Sequence, residues 1–153
     1  MIRDVTAAVF IKDGRVMICR RPPNKGNALK WEFPGGKSEP GETLEECLKR
    51  ECEEELGIEI SVGREICATE YEYPDITVKL HFMLSKIVSG TPELKEHVDI
   101  KYITKSELSD YDFCPADRDI VKILAEENYL DWFYIKNIQS KRRIFCKQTC
   151  SEY

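Results

Sequence analysis

Residues 35–58 read GGKSEPGETLEECLKRECEEELGI, and seven glutamates fall between Glu42 and Glu55. The stretch otherwise has the marks of a helix. Thr43 followed by Glu46 is a capping-box pattern, which places the helix start at Thr43. Gly57 stands where a left-handed C-terminal stop belongs. With Leu44 as the zero direction and about 100° per residue, Leu48 falls at about 40° and Cys47 at about 300°. Those three residues define a face that should be buried. On the same wheel Glu51 falls at about 340°, Glu54 at about 280° and Glu55 at about 20°. The face is therefore apolar in its first half and anionic in its second. Glu53, at about 180°, points the other way and reads as solvated charge.

Like charges one turn apart destabilise an isolated helix by a few tenths of a kcal/mol per pair. Turning them toward the core adds a desolvation cost. Raised pKa values relieve that cost, and so does a bound cation. Three carboxylates at one-turn spacing can converge on a hard, oxygen-preferring ion such as Mg²⁺ or Mn²⁺. The same residues also suit a solvated acidic face partnered by Lys49 and Arg50. In the preceding loop, Gly35, Gly36 and Gly41 permit tight turns and close approach of a ligand to the backbone. Lys37 can meet an anion. A plain glycine-rich turn joining strand to helix would carry the same residues.

The flanking sequence reads as alternating short elements. Residues 5–11 (VTAAVFI) and 15–20 (RVMICR) are strand-like around Asp13-Gly14, a hairpin signal. Residues 22–30 form a loop rich in turn formers, and WEF at 31–33 is a short strand before Pro34-Gly35-Gly36. IEISV, ICATEYEY and ITVKLHFML follow as strands, the last two joined across Pro74-Asp75, and KYI at 101–103 is another. A last helix starts near Pro115, with Ile120, Ile123 and Leu124 on one stripe. From residue 130 the character becomes aromatic and basic. We therefore divide the chain into a domain over 1–129 and a C-terminal extension over 130–153.

Composition bounds the function classes. The 153 residues suit one domain with its own core. No apolar run approaches the roughly 20 residues that span a bilayer, so no membrane role is expected. The net charge of −5 argues against a stable nucleic-acid polymer partner. It leaves room for a small polyphosphate bound through a metal. Seven cysteines are an odd number without metal-ligand spacing. Cys19, Cys47, Cys52, Cys67 and Cys114 lie in apolar patterns and read as free thiols in a reducing cytoplasm.

The fixed positions carry a resemblance. Gly36, five residues, Glu42, seven residues, then Arg50-Glu51-Cys52-Glu53-Glu54-Glu55-Leu56-Gly57-Ile58 match the Nudix box GX5EX7REUXEEXGU, with U a bulky aliphatic residue. Of nine specified positions over 23 residues, eight agree, and the departure is Cys52, a small apolar residue at the first U position. The flanking WEFPGGK, VFIKDGRVMICRR, YEYPDITVKLHF and PADRDIVKIL are similar to the MutT branch, over roughly residues 3–127. The resemblance implies an α+β fold, an α/β/α sandwich with a mixed sheet between helices and the box as loop-helix-loop. It implies a Mg²⁺-dependent hydrolase (Mn²⁺ as substitute) that turns a nucleoside triphosphate, oxidised or modified, into a monophosphate and pyrophosphate. Such members clear the cytoplasmic precursor pool, a DNA-repair role, as monomers or homodimers. An ADP-ribose-type substrate or a silent nucleotide-binding module is the alternative.

The resemblance also assigns roles. It implies Glu51, Glu54, Glu55 and the Gly35 carbonyl as metal ligands, and Arg50 as the partner that orients a box glutamate. Glu42 is implied to be structural. The general base is implied to be a box glutamate or Glu96, and His97 beside it reads as incidental. Arg21 and Lys37 are implied to meet the triphosphate, and Asp117 the base. MutT itself has asparagine at the position of Asp117. An ionised Asp117 can only accept a hydrogen bond, which favours the amino group of cytosine or adenine, whereas a protonated one can serve an oxoguanine. That Asp117 caps the last helix or sits in its first turn is the bland reading. Phe33 and Tyr73 are possible pocket walls.

Overall fold

Helices cover both sides of the sheet because the first strand is buried on both. The computed structural model describes residues 1–126, and the 130–153 extension lies outside them. In strand β1 (Ile2–Lys12), residues 6–10 are all buried. Successive side chains face opposite sides of a strand, so such a run needs cover on each side. Ala7 and Val9 join one cluster with Val16, Ile18, Phe82, Ile120 and Leu124. Ala8 and Phe10 join another with Met17, Cys19, Leu48, Cys52 and Leu56. Helix α2 (Arg118–Ala125) closes the first and helix α1 (Leu44–Leu56) the second. This is the expected mixed sheet between helices.

The remaining strands are β2 (Arg15–Arg20), β3 (Trp31–Glu32), β4 (Gly35–Lys37), β5 (Glu59–Glu72), β6 (Thr77–Ser89) and β7 (Asp99–Thr104). Their order is β3-β2-β1-β6-β5, with β4 also on β1 and β7 also on β2. The β1–β6 pair is parallel. Asp13 and Gly14 both have positive φ, which suits the tight β1–β2 hairpin. That hairpin pairs only Ile11 with Val16 and Lys12 with Arg15. Below it, β4 takes the place beside β1, pairing Lys37, Gly36 and Gly35 with Val5, Thr6 and Ala7.

Several expectations change in detail. The Gly35-Gly36 turn is a strand. A Cβ on Gly35 would lie 1.9 Å from the Thr6 carbonyl oxygen, so only glycine lets β4 approach this closely. IEISV and ICATEYEY are one strand, β5, whose register irregularities around Val62 and Glu65 absorb Gly63 as a bulge. The last helix begins as a 3-10 turn, Pro115–Asp117, before α2. Another 3-10 segment, Lys105–Asp110, buries Leu108. Cys67 is half-buried, while Cys19, Cys47, Cys52 and Cys114 are buried, and all five are free thiols. Among the described residues no helix is long and apolar enough to cross a membrane.

Helix α1 carries both halves of its capping box. The Thr43 hydroxyl accepts from the Glu46 amide at 3.1 Å, and Glu46 Oε2 accepts from the Thr43 amide at 2.9 Å. Gly57 closes it at φ 65°, donating its N–H to the Glu53 carbonyl. Its buried residues are Cys47, Leu48, Cys52, Glu55 and Leu56. The buried sector therefore extends past Leu48 to Cys52 and Leu56, at about 80° and 120° on the helical wheel. The expected grouping of three carboxylates on the core face is corrected accordingly. Glu55 is buried, Glu51 lies at the rim, and the Glu54 side chain is 57% exposed. The small thiol of Cys52 packs fully against the sheet, and this rolls Glu54 outward.

Candidate active site

The short strand β4 is a thin wall between a cleft and the helix carboxylates. On one side lies a cleft of about 370 Å³, whose lining includes Arg21, Glu32, Phe33, Lys37, Tyr73 and Asp117. On the other side lie Glu51 and Glu55. A Cβ on Gly36 would sit 2.3 Å from the Glu51 carboxyl carbon, and the Gly35 backbone hydrogen-bonds Glu55. The paired glycines thus let backbone, cleft and carboxylates come within contact of one another. Arg21, Lys37, Gly35 and Asp117 all line this one cleft, while Glu54 and Glu96 do not.

Arg50 organises the first half of the loop-helix segment. Its Nε and Nη2 donate to Glu42 Oε1 and Oε2 at 2.7 and 3.0 Å. Nη1 donates to Glu51 Oε1 at 2.8 Å and to Glu54 Oε2 at 3.3 Å, and Nη2 also reaches the Lys37 carbonyl at 3.2 Å. Hydrogen bonds from Arg50, with one from the Glu39 amide, pull the Glu42 carboxyl down to about 2. The forked guanidinium and the carboxylate match each other in geometry.

Glu55 has the opposite environment. It is buried, and its Oε2 has no hydrogen-bond partner among the described residues. Burial, reinforced by the negative charge of Glu32, Glu51 and Glu96, pushes it up to about 9. Among the described residues no three metal-ligating side chains are gathered into a preformed set, because Arg50 draws Glu51 and Glu54 to itself. The donor chemistry nevertheless fits a hard divalent cation. The available atoms are carboxylate oxygens, one of them buried and unpartnered.

Two residues that sequence reasoning passed over hold the cleft together. Glu32 accepts from Arg21 Nη1 at both oxygens, 3.1 and 2.9 Å, and lies 3.0 Å from His97 Nε2. His97 is not an incidental loop residue, since its side chain is 3% exposed. The available signal was the lone charge of Glu32 between two large aromatics, Trp31 and Phe33, both of which are buried. Glu96, by contrast, is exposed and paired with Lys25 at 3.4 Å. Asp117 is buried, with Oδ2 unpartnered among the described residues. Burial first, and then the charge of Glu32, drives its pKa well above the usual carboxylate range, against the opposing pull of Arg21 and the Phe33 backbone. This favours the neutral acid over the ionised form. Asp117 stands at the N-cap position of α2, at the end of the 3-10 turn, but its side chain makes no cap hydrogen bond among the described residues. Phe33 and Tyr73 both line the cleft, Phe33 also packing against Phe82 and Phe113.

Comparison with known proteins agrees with this construction. The NUDIX domain family matches residues 6–122. The chain is 35% identical to the CTP pyrophosphohydrolase of Escherichia coli (strain K12), over 74% of this chain and 84% of that protein. It is 36% identical to the 8-oxo-dGTP diphosphatase of the same strain, over 72% and 85%. It superposes on the crystal structure of the MutT protein from Methanosarcina mazei Go1 with a TM-score of 0.74 and 26% identity, covering 84% of this chain and 96% of that one. With the box, the mixed sheet and the relatives in agreement, the chain belongs to the NUDIX family, as a MutT-like hydrolase.

Proposed function

We propose that the chain hydrolyses a nucleoside triphosphate to a nucleoside monophosphate and pyrophosphate, with Mg²⁺ or Mn²⁺ held by Glu51, Glu54, Glu55 and the Gly35 carbonyl. The observation that carries this reading is the single cleft shared by Arg21, Lys37, Gly35 and Asp117, walled from Glu51 and Glu55 by two glycines. Arg21 and Lys37 bind phosphate oxygens there. When bound, the cation neutralises phosphate charge, activates the attacking water and aligns it. The hydrogen bonds from Arg50 to Glu51 and Glu54 support its role as the residue that orients these carboxylates. Glu54 or Glu96 takes the proton from water, and comparing the pH–rate profiles of Glu54→Gln and Glu96→Gln separates the two.

The state of Asp117 sets which base edges it can pair with, and it leaves both cytosine and oxoguanine open. As a neutral acid it both donates through O–H and accepts through C=O. The cytosine edge offers the complement, an acceptor ring nitrogen and a donor amino group. The similarity to a CTP pyrophosphohydrolase supports a cytosine nucleotide as the first substrate. The neutral acid also complements the N1–H and O6 edge of guanine, and similarity to an 8-oxo-dGTP diphosphatase supports oxidised dGTP as the second. Either activity removes unwanted nucleotides from the precursor pool.

The test is a turnover panel of CTP, 5-methyl-dCTP, dGTP, 8-oxo-dGTP and ADP-ribose with Mg²⁺ and with Mn²⁺, reading pyrophosphate and monophosphate. Pyrophosphate from a triphosphate is the expected result. Turnover of ADP-ribose alone, or of nothing, would sink this reading.

A further inference from the structure

We infer that Glu32 and His97 are positioning residues that aim Arg21 into the cleft, an inference that rests on the triphosphate reading above. The hydrogen-bond inventory of Arg21 carries it. Its Nε–H goes to the Gly26 carbonyl at 2.7 Å, and Nη1 faces both oxygens of Glu32. Nη2 has no protein partner among the described residues, and Arg21 lines the cleft. The donors left over for phosphate oxygens are therefore those of Nη2, and the direction of the fork is set from behind. A long arginine side chain otherwise loses considerable rotamer freedom when it binds, and holding it beforehand removes that cost from substrate binding.

Glu32 is held in its turn. A carboxylate only accepts, so His97 Nε2 carries the hydrogen in their 3.0 Å contact. Among the described residues the buried ring leaves Nδ1 without a partner, so its side-chain hydrogen bond there is the one to Glu32. Val98 donates its backbone N–H to the Arg20 carbonyl at 3.0 Å, which ties the segment carrying His97 to the end of β2 beside Arg21. The chemistry also explains why residue 32 is an acid. Among the described residues, each group that hydrogen-bonds its oxygens is a donor: Arg21 Nη1 twice and His97 Nε2 once. A glutamine would turn its NH₂ toward one of them and lose that contact.

The experiment uses the full chain, with Mg²⁺ and CTP or 8-oxo-dGTP for turnover. Binding of an α,β-methylene triphosphate analogue is measured in parallel. Glu32→Gln should raise KM about tenfold or more while kcat changes far less, and weaken analogue binding by the same factor. In an Arg21→Gln background the same change should have less than about a twofold further effect, since Glu32 acts through Arg21. His97→Phe should resemble Glu32→Gln, and His97→Gln, which keeps a side-chain donor, should recover most of the loss. If His97→Phe does not fold, the isosteric Glu32→Gln and its cycle with Arg21→Gln still decide the matter. Unchanged KM and analogue affinity in Glu32→Gln, or losses that multiply in the double variant, would overturn the positioning role. A wild-type chain that turns over no triphosphate removes the triphosphate reading itself, and this role with it.

Discussion

Glu42 and Glu55 stand at the two ends of one loop-helix segment in opposite electrostatic settings. Glu42 accepts from Arg50 Nε and Nη2 and from the Glu39 amide, and its pKa falls to about 2. Glu55 is buried beside Glu51, with one oxygen unpartnered, and rises to about 9. One carboxylate is saturated within the protein and fastens the loop to the helix. The other is left with unmet coordination capacity in a place that water scarcely reaches. Such a group is costly unless it takes up a proton or a cation, so the contrast separates the carboxyl that the protein satisfies from the one that it leaves open.

The strongest test of this division is Glu54→Gln. Glu54 is exposed, so the fold should persist, with the melting temperature changed little. Divalent-dependent pyrophosphate release should fall by about a thousandfold. Near-wild-type turnover would remove Glu54 from the site. Gly36→Ala comes next. The new methyl meets the movable end of Glu51, not backbone, so the chain should fold while the carboxylate is displaced. A loss of about 10- to 100-fold in kcat/KM at nearly unchanged stability is expected. A large stability loss with normal activity in the folded fraction would mean that the contact is only packing.

The pH dependence of stability should carry opposite signs at the two ends. For Glu55 the folded state keeps a proton that the unfolded chain releases above the ordinary glutamate range. Its contribution is present at low pH and is lost as pH rises through about 9. For Glu42 it is present above the ordinary range and lost as pH falls toward about 2. Without divalent cations, melting temperature should drop toward alkaline pH, and Glu55→Gln should flatten that limb. Added Mg²⁺ should raise the alkaline melting temperature of the wild type more than that of the variant. Equal slopes in both chains would remove Glu55 as the source. The smallest effect expected is Asp117→Asn, a several-fold change in the ratio of kcat/KM for CTP to that for 8-oxo-dGTP, of the order that one altered hydrogen bond allows. An unchanged ratio would take Asp117 out of base recognition.

Local features of the fold were legible in the chain because their causes are local. The Asp13-Gly14 hairpin, the Thr43–Glu46 box and the Gly57 stop depend on residues a few positions apart. The strand at Gly35–Lys37 was not legible, because two glycines advertise a turn and only the Thr6 carbonyl reveals why they are needed. Glu32 was overlooked for a similar reason. Its partners are 11 and 65 residues away, and nothing in Trp31-Glu32-Phe33 points to either. The helical wheel put Glu51, Glu54 and Glu55 in one sector correctly as angles. It could not say where the sheet would press, and Cys52 and Leu56 moved that contact away from Glu54.

By itself, the sequence determined the family motif, the capped acidic helix and the first hairpin, all written in spacing and periodicity. Only the tertiary structure decided which carboxyls are satisfied and which are stranded. Glu42 and Glu55 are the same residue type in the same motif. The forked donor of Arg50 reaches one, and the packing of α1 on the sheet seals the other. Charge state depends on neighbours in space and on exclusion of water, and neither is a property of the residue's place in the chain.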